Sequence, residues 1–518
     1  VTIKTTRWPP YAVPLCLTVF FLWISSQVMG LSLFDDSGYL QTGSDIHLSS
    51  FLYQQYWSPL YCFWFKALTL ICPNPISRYF LSWGILVVLL GMVPAWMKTP
   101  SAWLYSFIII VFPFLTIGPF VSLFAAAIVL CSMCLVLQRE RSLVDVTAAS
   151  CLVCFVVSFA RPEFDYGVYI SALVTLVVLV ASQVRAAAAP SGMPRRWIRA
   201  MAIGLTVAAM TATMLYVMRH AQSARSGMAF AQHYNVRASE HGLIPNGRDN
   251  WKGPYAEQTF GVDLGHTAEN TQSKLSDFFH ANPRLFLAYV VENLFDPTTL
   301  ILLLFLVPAL LWPWLRNDAR RFRPASVFLL LIAVPPMAGV LVIYPDLHYA
   351  IIFIPALAIY TLQLFKMPLW VQSPSIPWVL GSAFAMIWLL EIALPLRSNV
   401  PPWSLHGDQM ALSRVRCVRD LDQFIAYGNP TVFDAAGMQP VYFAQPRRIV
   451  SPSALPQWDQ FEEWAARTRP AWISTNPDLV AGYHISFGQL NRFLQDDLGY
   501  TPHPCPVGAD LTVYTNDH

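Results

Sequence analysis

The sequence predicts a polytopic α-helical membrane protein with a small external α/β domain at its C-terminus, and three observations carry that expectation. Of 518 residues, 55% are hydrophobic and 12% charged, a balance foreign to ordinary soluble domains. The mean hydropathy is +0.45, and the apolar residues gather into runs long enough to cross a hydrocarbon core of roughly 30 Å. Beyond residue 396 the long runs stop and the charge changes sign: 9 Lys+Arg stand against 12 Asp+Glu there, and 24 against 18 before it.

Windows of about 18 to 20 apolar residues fall near 11–33, 79–97, 101–118, 120–138, 143–160, 166–184, 199–218, 298–315, 325–343, 349–365 and 377–395, about eleven spans within residues 1–396. The first is too long for a removed signal peptide and lacks a small-residue cleavage site, so it is expected to remain as an anchor. An opening Val1 is compatible with a non-AUG bacterial start or a trimmed terminus. Basic residues resist translocation and collect in short cytoplasmic loops. Lys4, Arg7, Lys98, Arg139, Arg141, Arg185, Arg195, Arg196, Arg199, Arg316, Arg320, Arg321, Arg323 and Lys366 all fall on one side of this arrangement. That side is read as the cytoplasm, so the loops at 34–78 and 219–297 and the domain 397–518 are external. Cysteine labelling in intact cells should therefore tag engineered thiols at Ser37, Asn246 and Ser451 and miss those at Ser191 and Asn317. Tagging of the last two would reverse the orientation.

The external domain alternates helix-like runs ("WDQFEEWAART", "FGQLNRFLQDDLGY") with strand-like ones ("PTVFDAA", "AWIST", "LTVYTN"), the pattern of a small α/β unit. Most cysteines lie in or near spans, including the pairs Cys131/Cys134 and Cys151/Cys154, where a thiol behaves as a small buried hydrophobe. Cys417 and Cys505 alone sit in the external domain, and an oxidising compartment would join them.

Several function classes are excluded or disfavoured. There is no P-loop, no dinucleotide fingerprint and no H-E-x-x-H, the spacings that cradle phosphates or zinc. The acidic tail offers nothing to nucleic acid. The histidines of the long loop (His220, His233, His241, His266, His280) lack ligand spacing, so no metal site is expected. No cofactor is indicated, and a divalent cation is left open. Pumps carry ionisable groups at mid-span, yet here Asp145 and Glu391 lie near helix ends and the other charges crowd the external surface: Asp35, Asp36, Lys66, Arg161, Glu163, Asp165 and His348 among them. That distribution fits chemistry at the lipid–water boundary.

The first loop opens with two adjacent carboxylates, "FDDSGYL", and continues through an aromatic stretch, "YWSPLYCFWF", at roughly the spacing of a helix lying in the interface plane. With "HYAIIFIPALAIY" near residue 350, these segments resemble the GT-C superfamily of integral-membrane glycosyltransferases, in the branch of protein O-mannosyltransferases and aminoarabinose–lipid A transferases. "FDDSGYL" is similar to that family's acidic pair after the first span. "YWSPLYCFWF" is similar to its aromatic stretch later in the loop, with Ser58 where the lipid A branch has Lys. "HYAIIFIPALAIY" is similar to its late helix, with His348 where Arg is commoner.

The resemblance implies transfer of a sugar from a polyprenyl-phosphate carrier to a hydroxyl of a lipid, a cell-envelope glycan or a protein, with inversion, outside a bacterial inner membrane. Such a reaction needs a carboxylate to take the acceptor proton and fixed positive charge for the leaving phosphate. Asp35 is the expected base, with Asp36 capping or orienting beside it; helix capping by both acids is the alternative. Arg161, His348 and Lys66 are candidate phosphate ligands, supported by Glu163, Tyr344 and Tyr349. Against these stand an Arg161 that merely snorkels and pairs with Glu163, a structural His348, and a Lys66 facing lipid headgroups. The polar run "HYNVRASEHGLIPNGRDNWKGPYAEQ" is assigned to acceptor recognition. A lipid-linked oligosaccharide polymerase or ligase, or a non-catalytic transporter or scaffold subunit, are the alternative readings.

Overall fold

The computed structural model describes residues 58–72, 75–97, 121–138, 141–187, 193–220, 225–244, 255–262, 275–345, 351–364, 431–435, 448–450, 457–505 and 511–516, together with Tyr105, Tyr349, Cys417, Leu455 and a few positions before residue 48. It is mostly helical, with a small C-terminal sheet. Among the described residues four helices are long and apolar enough to cross a membrane: Pro162–Arg185, Trp197–Val217, Pro297–Leu315 and Ala319–Ile343. Shorter apolar helices occupy Leu81–Met97, Val121–Leu137, Leu143–Ser158 and Ile354–Leu364. The expected windows at 11–33, 101–118 and 377–395 fall almost wholly outside the described residues, so the count of eleven spans goes beyond what these helices establish.

In chain order the helices of this part are α1 (Pro59–Thr69), α2 (Pro75–Met97), α3 (Val121–Leu137), α4 (Leu143–Ser158), α5 (Asp165–Ala187), α6 (Met193–His220), α7 (Arg225–Glu240), α8 (Tyr255–Phe260), α9 (Leu275–Ala281), α10 (Pro283–Leu294), α11 (Pro297–Leu315), α12 (Arg323–Ile343) and α13 (Ile354–Leu364). Helices α4 and α5 flank a single 3-10 turn, Pro162–Phe164. They approach closely because Gly167 carries no side chain: a Cβ there would stand 2.7 Å from Cys154 Sγ.

Prolines inside α11 and α12 have visible consequences. Pro313 has no N–H to give to the carbonyl four residues back, and the Tyr360 hydroxyl donates to that oxygen, Ala309 O, at 3.2 Å. Pro335 frees Leu331 O in the same way, and the Cys154 thiol reaches it at 3.8 Å. Side chains of neighbouring helices thus meet polar groups that lipid could not satisfy. Cys154, with Cys131, Cys134 and Cys151, is a free thiol.

The segment expected as a long external loop holds, among its described residues, four helices, α7 to α10, with a core of their own. Phe230 is fully buried at its centre, with ring centroids of Phe278 at 4.7 Å, Phe286 at 5.1 Å, Tyr289 at 5.3 Å and Phe260 at 5.5 Å. The cluster is fixed to the end of α12, whose last carbonyls lack helical donors. Tyr289 OH donates to Ile343 O at 2.5 Å and Asn293 Nδ2 to Leu341 O at 2.9 Å.

The C-terminal part holds a five-stranded sheet of order β2-β1-β3-β5-β4, built from β1 (Thr431–Asp434), β2 (Arg448–Val450), β3 (Trp472–Thr475), β4 (Thr501–Pro504) and β5 (Thr512–Thr515). Strand β1 pairs in parallel with β2 and β3, whereas β5 runs antiparallel to β3 and β4. Helix α14 (Trp458–Thr468) seats Phe461 and Ala465 against Phe433 and Ile473 of the sheet. A disulfide joins Cys417 to Cys505 across 88 residues. Closing a loop of that length constrains the unfolded chain by about 4.6 kcal/mol in the chain-entropy treatment. Reduction should therefore lower the melting temperature of the domain and raise the count of reactive thiols by two. An unchanged thiol count would contradict the bond.

Candidate functional site

The site is built around the turn between α4 and α5, "ARPEFD". Pro162 fixes the start of the 3-10 turn and cannot follow a helical residue comfortably, so Arg161 is extended, at φ −139° and ψ 103°. That geometry folds its guanidinium back over the turn, where Nη2 bonds Glu163 Oε1 at 2.7 Å. Both side chains are nearly buried, 11% and 12% exposed, and Asp165 is 9% exposed. Arg161 Nε, Glu163 Oε2 and Asp165 Oδ1 are buried and have no hydrogen-bond partner among the described residues. Buried polar groups are almost always bonded, so three such atoms on one turn leave hydrogen-bonding capacity for a further polar group. Burial works against the charge of Arg161, but Glu163, Tyr349 and Tyr39 more than offset it and hold its pKa above the ordinary value.

The first loop docks onto the same turn. Ser58, just before α1, has φ +49° and ψ +56°, a left-handed conformation that costs a non-glycine residue about 1–2 kcal/mol. In return its hydroxyl donates to Ala160 O at 2.7 Å, and Leu60 N donates to Phe159 O at 3.0 Å. Tyr39, whose hydroxyl lies 3.5 Å from Ser58 Oγ, stands four and three residues after Asp35 and Asp36 in the sequence. The acid pair itself lies outside the described residues.

Tyr349 closes the other side, with the Arg161 guanidinium 4.7 Å from its ring centroid, within cation–π range. The same tyrosine walls a shallow, open apolar cleft with Leu302, Met337, Val340 and Phe353. Phe353 in turn stacks on Phe164 of the turn, 5.9 Å between centroids. An apolar slot and a buried, incompletely bonded cation therefore share one wall.

From Tyr349 a row of rings and charges runs into α7. His233 meets Tyr349 edge-on at 6.4 Å and lies flat on Tyr344 at 5.3 Å, with 5° between planes. Arg237 sits 4.9 Å from the Tyr344 centroid, and Tyr344 OH donates to Glu240 at 2.9 Å. Burial, and then the Glu240 carboxylate, push the Tyr344 phenol up to about 12. Arg237 is paired with Asp296 at 3.0 Å, Glu240 at 3.1 Å and Glu292 at 3.6 Å. Burial opposes the Arg237 charge, and Asp296, Tyr344 and Glu240 outweigh it, leaving its pKa above the ordinary range. His241 contacts Glu292 as well. Loss of Arg237 would leave the nearly buried Asp296 without its cation, so Arg237→Met should destabilise the fold by about 3 kcal/mol; an unchanged melting temperature would show that water already screens that carboxylate.

Of the residues expected from the sequence, Arg161, Glu163 and Tyr349 come together, and Tyr344 joins them through His233. The Lys66 ammonium donates to Ile46 O on the first loop. His348 lies outside the described residues. Sequence reading passed over Asp165 as a site residue, took His233, Arg237 and Glu240 as part of the polar run 233–258, and passed over Glu292 and Asp296. Part of the signal was present, since positions 233, 237 and 240 recur at the spacing of one helix face. No group of His, Cys, Asp and Glu able to hold a metal occurs among the described residues. Comparison with protein-family models, with characterised proteins and with solved structures finds no match.

Proposed function

We propose that this protein is a membrane-embedded glycosyltransferase that moves a sugar from a polyprenyl-phosphate donor to a hydroxyl acceptor at the external membrane face. The observation that carries the reading is the shared wall: Tyr349 lies over the Arg161 guanidinium and also borders the apolar cleft. An amphiphile with an anionic head and a hydrocarbon tail matches that arrangement, because its phosphate completes the donors left open on Arg161 while its chain stays out of water.

In the reaction the acceptor oxygen attacks the anomeric carbon from the face opposite the phosphate. The bond from that carbon to the phosphate oxygen breaks, and polyprenyl phosphate departs with the electron pair. The hydroxyl proton passes to a carboxylate, assigned to Asp35 with Asp36 orienting it. Arg161 steadies the charge that grows on the leaving phosphate, where fixed donors have most effect. Glu163 holds the guanidinium in place and leaves Nε directed elsewhere. We assign the protein to the inner membrane of a bacterium, N-terminus inside and residues 397–518 outside, a setting supported by the one-sided distribution of basic residues.

Mass spectrometry of cell-envelope lipids and glycans, with and without the gene, tests the assignment. One class should lose a single sugar mass in the deletion and regain it with the wild-type gene but not with Asp35→Asn. Identical profiles in all four strains would contradict the proposal.

A further inference from the structure

We propose that His233 is a positioning residue for the Arg161 anion site, through which the helical segment 225–294 sets whether that cation is presented to a ligand; this rests on the reading of Arg161 as a phosphate-binding group. The starting point is geometric. Tyr349 is the ring under which Arg161 is held, at 4.7 Å, and it stands outside both α12 and α13. The plane of such a ring is set by the neighbours packed against it. Among the described residues the aromatic ring that meets it from the external segment is His233, at 6.4 Å and 73°.

His233 is itself held rigidly. It lies parallel to Tyr344, and Tyr344 is gripped a second and third time from the same helix, by the Arg237 guanidinium and the Glu240 carboxylate. These three residues fall at i, i+4 and i+7, one face of α7. Arg237 then anchors that face to Asp296, the N-cap of α11, and to Glu292 of α10. The position of His233 therefore reports the seating of the whole external segment, and the Tyr349 plane follows His233. Stacked and edge-on ring pairs are worth enough to fix an orientation, and a cation prearranged for its ligand binds more tightly than one that must be ordered first.

The consequence is specific to charge. If His233 acts by orienting Tyr349 on Arg161, its loss should weaken binding of an anionic amphiphile and spare a neutral one of the same shape. Farnesyl phosphate and farnesol are suitable probes, titrated against the full-length protein in detergent by native mass spectrometry. In His233→Ala the affinity for farnesyl phosphate should fall about 10-fold, the scale of one lost preorganising contact, with farnesol unchanged. His233→Phe keeps the ring and should restore farnesyl phosphate binding to within about twofold of wild type.

Equal loss of both ligands in His233→Ala would mean general damage to the cleft and would overturn the proposal, as would unchanged farnesyl phosphate binding. Failure of Phe to rescue would show that stacking is not the means and would overturn it too. The underlying reading is tested separately by Arg161→Gln. If wild type and that variant bind farnesyl phosphate equally, Arg161 is no anion ligand, and both the reading and the inference fall. If Arg161→Gln weakens binding while His233→Ala does not, only the inference falls.

Discussion

Asp35→Asn is expected to lower turnover by about two to four orders of magnitude, the usual worth of a general base, while donor binding survives. The substitution keeps the shape of the side chain and most of its hydrogen bonding but removes the basic oxygen that takes the acceptor proton. Helix capping predicts a different balance, because Asn caps about as well as Asp and turnover would then hardly change. Measuring sugar transfer and donor binding in the same folded variant separates the two roles. Full turnover in Asp35→Asn would remove Asp35 as the base and pass the assignment to Asp36 or Glu163. Glu163 is a credible successor on position alone, since its second oxygen is buried without a partner among the described residues, two positions from Arg161.

Arg161→Gln should reduce transfer by about 100- to 1,000-fold, as losing one donor to a developing oxyanion does. It should also weaken binding of the polyprenyl-phosphate product. The variant leaves Glu163 nearly buried and unpaired, and stranding one partner of a buried ion pair destabilises a protein by about 3–5 kcal/mol. A low yield of Arg161→Gln alone would therefore say little about chemistry. Arg161→Gln combined with Glu163→Gln removes both charges, so it is expected to melt closer to wild type while remaining inactive. Arg161→Lys keeps the charge but not the planar fork that spans Glu163 and a phosphate together, and should recover only part of the activity. Normal transfer by the double variant would assign the Arg161–Glu163 pair to structure alone.

The transmembrane part was legible where apolar residues form unbroken runs. The windows at 143–160 and 166–184 correspond to Leu143–Ser158 and Asp165–Ala187, and the polar turn between them was visible as "ARPEFD". The helical segment 225–294 was not legible in the same way. Its core residues Phe230, Phe260, Phe278 and Phe286 are scattered over more than fifty positions with polar stretches between, so no local window has the periodicity of a buried helix. Tertiary contact, which sequence spacing does not encode, assembles them.

The site divides along the same line. Arg161 and Glu163 stood out because a cation and an acid begin an external turn, and their pairing is local, two residues apart. The link from Tyr344 to Glu240 spans 104 residues, and nothing in either neighbourhood announces it. His233 was noticed as one histidine in a run without metal spacing. Its role as a ring between two tyrosines follows only from the fold. Ser58 was singled out for its difference from a Lys; its left-handed backbone and its bond to Ala160 O connect it to the Arg161 turn by geometry.

The most direct measurement uses the full-length protein reconstituted in lipid with a polyprenyl-phosphate donor whose sugar is radiolabelled, mixed with envelope lipid and glycan fractions as acceptors. A glycosyltransferase of the kind proposed will move label into one hydroxyl-bearing fraction, release one polyprenyl phosphate for each sugar transferred, and lose both signals in Asp35→Asn. Label that stays on the donor with every fraction, or that moves equally well in Asp35→Asn and in the Arg161→Gln, Glu163→Gln double variant, would contradict it.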